Sequence, residues 1–371
     1  MDTSILKLSL LSSAFLFLGM VAFILNRPFA WKRPLLGFLI PLLVVAVHYV
    51  LVGYSVSAAN TFALLNGLAL LAVAATGSAA LSPEAFLTGL RRFVLVLTFP
   101  FLLYLLALQL SGTGQDDVGN FIGFTENSNM MGGYLALLMF PAVAQNFLTA
   151  PGPRAKLVPF LSGVIILFLI YETASRAALL SIICGLAFVA FFSKALPRRI
   201  RLLIILSVLV SPLFLTTFIQ KNEDLTLFST RLFLYTLRFE AISSSPWIGW
   251  GLAADVNNTY NATNIFPPQE KGNTILQLME EFGVPLGALF TLAITLVILS
   301  TGRRLSKVRS MVWVPIFLVA AWVHSMFETW MFNFQSLLAI FFWLTLVVAT
   351  FHAQSLKPRR TVRQEPLVGT T

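Results

Sequence analysis

The sequence predicts an all-α polytopic membrane bundle, and three observations carry that prediction. Apolar residues make up 57% of the 371 positions and charged residues only 11%, too few to cover the surface of a soluble chain. Windows of about 18 to 22 apolar residues recur along nearly the whole length, which is what a helix needs to cross ~30 Å of hydrocarbon. Runs such as LLIILSVLV lack the alternation of a barrel strand, so the spanning element must be a helix.

In chain order the windows predict about eleven spans (10–12): 5–25, 35–52, 59–81, 91–110, 129–148, 158–174, 177–195, 200–219, 281–300, 311–329 and 331–352. The first reads as a retained helix, because Asp2 and Lys7 stand around its start rather than a basic cluster and no A-x-A site follows. One bundle over 1–371 is expected, holding a long extracytoplasmic loop at 220–280 and ending in a cytoplasmic basic tail at 353–371. Cys184 is the single cysteine and lies within a span, which excludes intrachain disulfides and cysteine-ligated metal.

The net charge of +10 resolves into a topology signal. Nineteen of the 25 cations fall in alternate loops, accompanied only by Glu84 and Glu365 among the 15 acids. By the positive-inside rule those loops are cytoplasmic, which puts the N-terminus outside, the tail KPRRTVRQ inside, and the chain in a plasma membrane. A nucleic-acid partner is excluded by the same distribution, and membrane lipids are expected partners.

Six cations remain on a face that topology does not require to be basic: Lys7, Arg176, Lys221, Arg231, Arg238 and Lys271. Arg176, in ETASRAALLS, falls in the first turn of a span that Thr173 or Ser175 can cap, so cation and helix dipole would attract an anion together. The alternative is an ion pair with Glu172 or a contact with lipid headgroups. From Ser229 or Thr230 to about Ser243 a helix is expected, stopped by SSSP. Arg231 and Arg238, seven apart, share nearly one of its faces, and the alternative there is an interfacial anchor.

In this topology the fifth, seventh and ninth spans all begin on the outer face, where their positive ends converge. Asn127, Asn129 and Asn273 can cap such starts. Acids on that face that could serve as a general base are Asp116, Asp117, Glu126, Glu172, Glu240, Glu280, Glu281 and Glu328. Glu328 stands one turn after His324, an arrangement that also suits a structural pair. No histidine has a neighbour at metal-ligand spacing, and neither a metal nor another cofactor is expected.

Four blocks in order resemble the O-antigen ligase and polymerase family of bacterial envelope glycosyltransferases, over roughly residues 120 to 335. GFTENSNMMGGYLAL resembles G-x-x-x-N-P-N, with Ser128 in place of proline, and ETASRAALLS resembles S-R-G-A-L-L, with Ala177 in place of glycine. TRLFLYTLRFEAISSSPWIGWGLA is similar to R-x-x-x-W…P-x-x-G-x-G through Arg231, Pro246, Gly249 and Gly251. GNTILQLMEEFGVPLG resembles H-N-x-x-L-x-x-x-x-E-x-G through Asn273, Leu276, Glu281 and Gly283, with Gly272 where the family has histidine.

The resemblance implies an inverting enzyme of the bacterial inner membrane that needs no metal. Its donor would be an undecaprenyl-pyrophosphate-linked oligosaccharide, used at the periplasmic face. The acceptor would be lipid A-core sugar for a ligase of lipopolysaccharide assembly, or another lipid-linked repeat for a polymerase of O-antigen or exopolysaccharide. It implies that Arg176 and Arg231 hold the pyrophosphate, with Glu281 or Glu328 as candidate bases in the absence of the histidine. Gly272 tilts the reading toward a polymerase. A solute transporter and a relative without catalysis are the rival readings.

Overall fold

The computed structural model describes residues 82–356 apart from 118, 126, 194–195, 221–224, 251–271 and 333–335. Spans 5–25, 35–52 and 59–81 and most of the tail lie outside the described residues. What is described is helical: α1 Pro83–Ser111, α2 Ser128–Thr149, α3 Pro153–Glu172, α4 Arg176–Phe192, α5 Arg198–Gln220, α6 Leu225–Ser244, α7 Thr274–Leu305, α8 Trp313–Ser325 and α9 Leu337–Ser355. No strand occurs among the described residues; one isolated bridge joins Gln115 and Phe121.

Each of the eight spans expected beyond residue 82 falls on one of these helices, but the total of eleven is not supported. Five described helices, α1, α2, α3, α7 and α9, have the length and apolarity to cross a membrane. The α4 and α8 helices are shorter, at 17 and 13 residues. The windows overestimated α8 because apolar residues continue past its end at Ser325 into a non-helical turn.

The connections between the helices sort by charge. Arg154, Lys156, Arg198, Arg199, Arg201, Arg303, Arg304, Lys307 and Arg309 sit at one end of the bundle. That end is fastened by Ser193 Oγ donating to Ser306 O (2.6 Å) and the Gln145 amide donating to Arg309 O (2.7 Å). At the opposite end lie Asp116, Asp117, Glu172, Glu280, Glu281 and Glu328. There the Gln109 amide donates to Glu172 (2.9 Å), and Phe121 N donates to Glu172 O (3.0 Å).

Burial divides the helices into two groups. The core is built from α2, α4, α8 and α9, around Trp313, Phe317, Phe342, Met131 and Leu135. By contrast, α1 and α7 turn Phe93, Val96, Leu97, Phe99, Leu289, Leu292 and Leu296 outward, and the exposed surface is aliphatic and aromatic. An apolar exterior of that extent suits lipid and not water, and together with the five spans it makes this a multi-pass membrane protein.

The closest packing is between α4 and α8. A Cβ at Gly185 would stand 2.6 Å from the Ile316 carbonyl oxygen, so the absent side chain lets the two backbones touch. Gly185→Ala is expected to cost about 2 kcal/mol, because the obstacle is main chain that cannot rotate aside. A melting temperature of the detergent-solubilised variant equal to that of the wild type would contradict this packing.

Two helices depart from regular geometry near the acid-bearing end. In α2, Pro141 has no N–H to offer the turn before it, and Tyr134–Met139 winds as a π-helix in which Phe140 N donates to Leu135 O. In α7, Gly283 has φ 77° and ψ 162° and breaks the helix. A straight helix would separate Leu278 from Gly287 by roughly 13 Å. Instead, a Cβ on Gly287 would lie 2.6 Å from Leu278 O, and the Phe282 and Phe290 rings meet edge to face at 5.2 Å. The segment from Thr274 to Phe282 therefore folds back over the start of the span, which begins at Val284 and not at 281. Asn273 caps this short return segment and not the span itself, a correction to the expected run of the ninth span.

Candidate functional site

The break at residues 172–176 is a tight turn between α3 and α4. Thr173 Oγ1 donates to Ile170 O (2.7 Å) and accepts from Ser175 N (3.3 Å), while Ala174 takes the left-handed conformation at φ 54°. That conformation costs a non-glycine residue about 1 kcal/mol and is held by the two buried hydroxyl residues around it. Ser175 caps α4 through Ala178 N, so Arg176 is the first helical residue and is exposed. Glu172 is engaged by Gln109 from α1, which ties this turn to the neighbouring helix.

Two further capped helix starts gather beside it, so that with α4 there are three. Asn127 Oδ1 accepts from Asn129 N (2.7 Å) at the head of α2. A Cβ on Gly132 would lie 2.5 Å from Ser175 Cβ, so the first turns of α2 and α4 are in direct contact. Asn273 Oδ1 accepts from Ile275 N and Leu276 N (2.8 and 3.1 Å), while its amide donates to Met326 O (2.7 Å). Thr274 Oγ1 donates to Glu328 O (3.4 Å). The turn after α8 thus carries the third start, and a Cβ on Gly133 would lie 3.2 Å from His324 Nε2, which joins this turn to α2. Three helix dipoles thus direct their positive ends toward one region.

His324 and Glu328 are both buried. Trp330 Nε1 donates to His324 Nδ1 (2.9 Å). An indole nitrogen only donates, so Nδ1 is the acceptor and the neutral ring carries its proton on Nε2. Trp330 therefore fixes Nδ1 of His324 as the accepting nitrogen.

The remaining charged residues lie where α6 meets the fold in α7. Arg238 and Glu280 are both almost fully buried, and a single nitrogen, Nη1, donates to both carboxylate oxygens at 2.9 Å. Arg238 Nε and Nη2 have no hydrogen-bond partner among the described residues. Next to the pair, the Glu281 carboxylate is buried and accepts the Gln277 amide (2.9 Å). The α6 helix begins at Leu225, a turn earlier than Ser229, and carries Arg231, whose side chain lies outside the described part.

The turn after α6 locks onto the α7 fold. Val284 N donates to Pro246 O (2.7 Å) and Trp250 N to Glu280 O (2.9 Å), while Trp250 Nε1 donates to Ala241 O (2.8 Å). Gly249 and Gly283 both have positive φ, at 75° and 77°. A Cβ on Gly249 would stand 2.5 Å from Glu281 O, and one on Gly283 would stand 2.5 Å from the Trp247 carbonyl carbon. Two blocks that the sequence presents separately, P-W-I-G and E-F-G, are one backbone-to-backbone contact. Sequence reading missed both this lock and the Glu280 partner of Arg238; the adjacent acids Glu280 and Glu281 were the only signal, and spacing does not say which one turns inward.

The sequence candidates thus fall into two groups. Asn127, Asn129, Arg176, Asn273 and Glu328 share the region of helix starts, while Arg238 and Glu281 lie where α6 meets α7. No curated protein matches the chain. Residues 161–291 match a family model described as O-Antigen ligase, a stretch that contains Arg176, Arg231, Arg238, Gly249, Asn273, Glu281 and Gly283. Over that stretch, about a third of the chain, the protein is similar to the O-antigen ligase family.

Proposed function

We propose that this protein is a cell-envelope glycosyltransferase of the bacterial inner membrane. It moves a glycan from an undecaprenyl-pyrophosphate donor to an acceptor hydroxyl at the periplasmic face, the end bearing Arg176. The acceptor is a second lipid-linked repeat, which makes the enzyme a polymerase, because Gly272 stands where the ligase pattern has histidine. The observation that carries this reading is the gathering of Arg176 with three capped helix starts.

In the reaction, the acceptor oxygen attacks the anomeric carbon as the bond from that carbon to the pyrophosphate oxygen breaks, which inverts the centre. Negative charge grows on the departing pyrophosphate, where preset guanidinium groups and amide dipoles stabilise it without rearrangement. Arg176, Arg231 and Arg238 fill this role, since arginine can meet phosphate oxygens with two donors at once. Asn127 and Asn273 cap the helix starts around the anion, and Asn129 stands in the first turn of α2. The acceptor's proton passes to a carboxylate, for which Glu281 and Glu328 are the candidates. No step requires a metal ion or a nucleotide.

Purified protein in proteoliposomes, supplied with a lipid-linked oligosaccharide, is expected to lengthen the glycan. Arg176→Ala is expected to reduce donor binding by about 100-fold, and Arg176→Lys to restore only part of it. Whichever of Glu281→Gln and Glu328→Gln removes the base is expected to lower turnover by about 10²–10⁴-fold with donor binding intact. Transfer to lipid A-core in place of chain growth would identify a ligase. Absence of turnover, with donor binding indifferent to Arg176→Ala, would refute the enzymatic reading and leave a transporter or a non-catalytic relative.

A further inference from the structure

The turn that locks α6 to α7 also projects the most exposed aromatic side chain of the described residues. Trp247 is 77% exposed and Ile248 beside it 62%, although the backbone that carries them is tightly held. Ser245 Oγ donates to Gly249 O (3.0 Å), and the Val284, Trp250 and glycine contacts above clamp both sides of the turn. Both side chains turn outward on a rigid support, so what surrounds them is set by their height on the molecule.

The α7 span supplies that height. Pro285, Leu289, Leu292, Leu296 and Leu299 are exposed at intervals of three and four, a single apolar stripe along the helix. In a multi-pass membrane protein such a stripe faces acyl chains. Val284, itself exposed, begins the stripe and bonds to Pro246, the residue before Trp247. The tip therefore stands at the end of a lipid-facing surface, one residue from where the chain leaves the span. An amphipathic indole at the limit of the hydrocarbon is at home among headgroups.

We propose that Trp247 and Ile248 form an anchor that inserts into the headgroup and upper acyl region of the adjacent leaflet, with phospholipid as the partner. Because the turn is fused to the α7 fold, the anchor fixes the depth of Arg238, Glu280 and Glu281 relative to the bilayer surface. The inference rests on the exposed stripe and the locked turn, and stands whether or not the protein is an enzyme.

The test is depth-resolved quenching in phosphatidylcholine vesicles, with Trp247 isolated as the difference in emission between the wild type and Trp247→Phe. Lipids brominated near the glycerol end are expected to quench that difference strongly, lipids brominated near the chain end weakly, and aqueous iodide hardly at all. As a second measurement, a nitroxide on Ile248→Cys in a Cys184→Ala background is expected to collide with oxygen more often than with a water-soluble nickel chelate. Quenching by iodide with no effect of brominated lipid, or the reverse collision order, overturns the proposal. Protection from the bromines by undecaprenyl pyrophosphate also overturns it, by assigning the tip to a donor chain.

Discussion

Gly283→Ala is expected to lower stability by about 3 to 5 kcal/mol, among the largest losses for adding one methyl group at a described residue. The φ of 77° and ψ of 162° at this position lie in a region that only glycine enters freely, which accounts for roughly 1–3 kcal/mol. The added Cβ would also stand 2.5 Å from the Trp247 carbonyl carbon, and main chain cannot swing away as a side-chain tip can. Gly249→Ala meets the same contact from the other side, against Glu281 O at 2.5 Å. Since each substitution would push the same two backbones apart, the double variant is expected to lose less than the sum of the singles. The measurement is the melting temperature of each variant in one detergent. Additive losses, or a Gly283→Ala protein that melts with the wild type, would show that the two segments do not form a lock.

The second large effect belongs to Arg238 and Glu280. Each is a charge taken almost wholly out of solvent, so Glu280→Gln alone leaves a buried guanidinium uncompensated and is expected to cost about 3–5 kcal/mol. Replacing both, as Arg238→Met with Glu280→Met, removes both charges and is expected to recover stability to within ~1–2 kcal/mol of the wild type. Donor binding separates structure from function here. In the proposed reaction the buried Nε and Nη2 edge of Arg238, which has no hydrogen-bond partner among the described residues, meets the donor's phosphate oxygens, so the double variant should melt normally yet bind donor poorly. Normal donor binding by that stable double variant would confine Arg238 to an architectural role.

Class and broad arrangement were legible in the linear sequence because they depend on composition and periodicity. The start of α2 was legible to about a residue because Asn127 caps it locally, whereas apolar windows set the starts of α1, α3 and α9 at 91, 158 and 331 instead of Pro83, Pro153 and Leu337. The Arg176 turn was legible for the same reason, as Thr173 and Ser175 organise it within four residues. The extents of α8 and α7 were not. Hydropathy continues unbroken through the turn after Ser325, and it cannot register a single glycine whose positive φ folds Thr274–Phe282 back on its own span.

What the sequence determined by itself was a membrane-embedded helical chain whose cations gather at one end, because burial in hydrocarbon and charge placement act on each residue separately. Which acid meets Arg238, and that Gly249 and Gly283 meet at all, was decided only by tertiary structure. Those choices depend on contacts between residues 34 to 42 positions apart, whose energies exist only once α6 and α7 have been brought together.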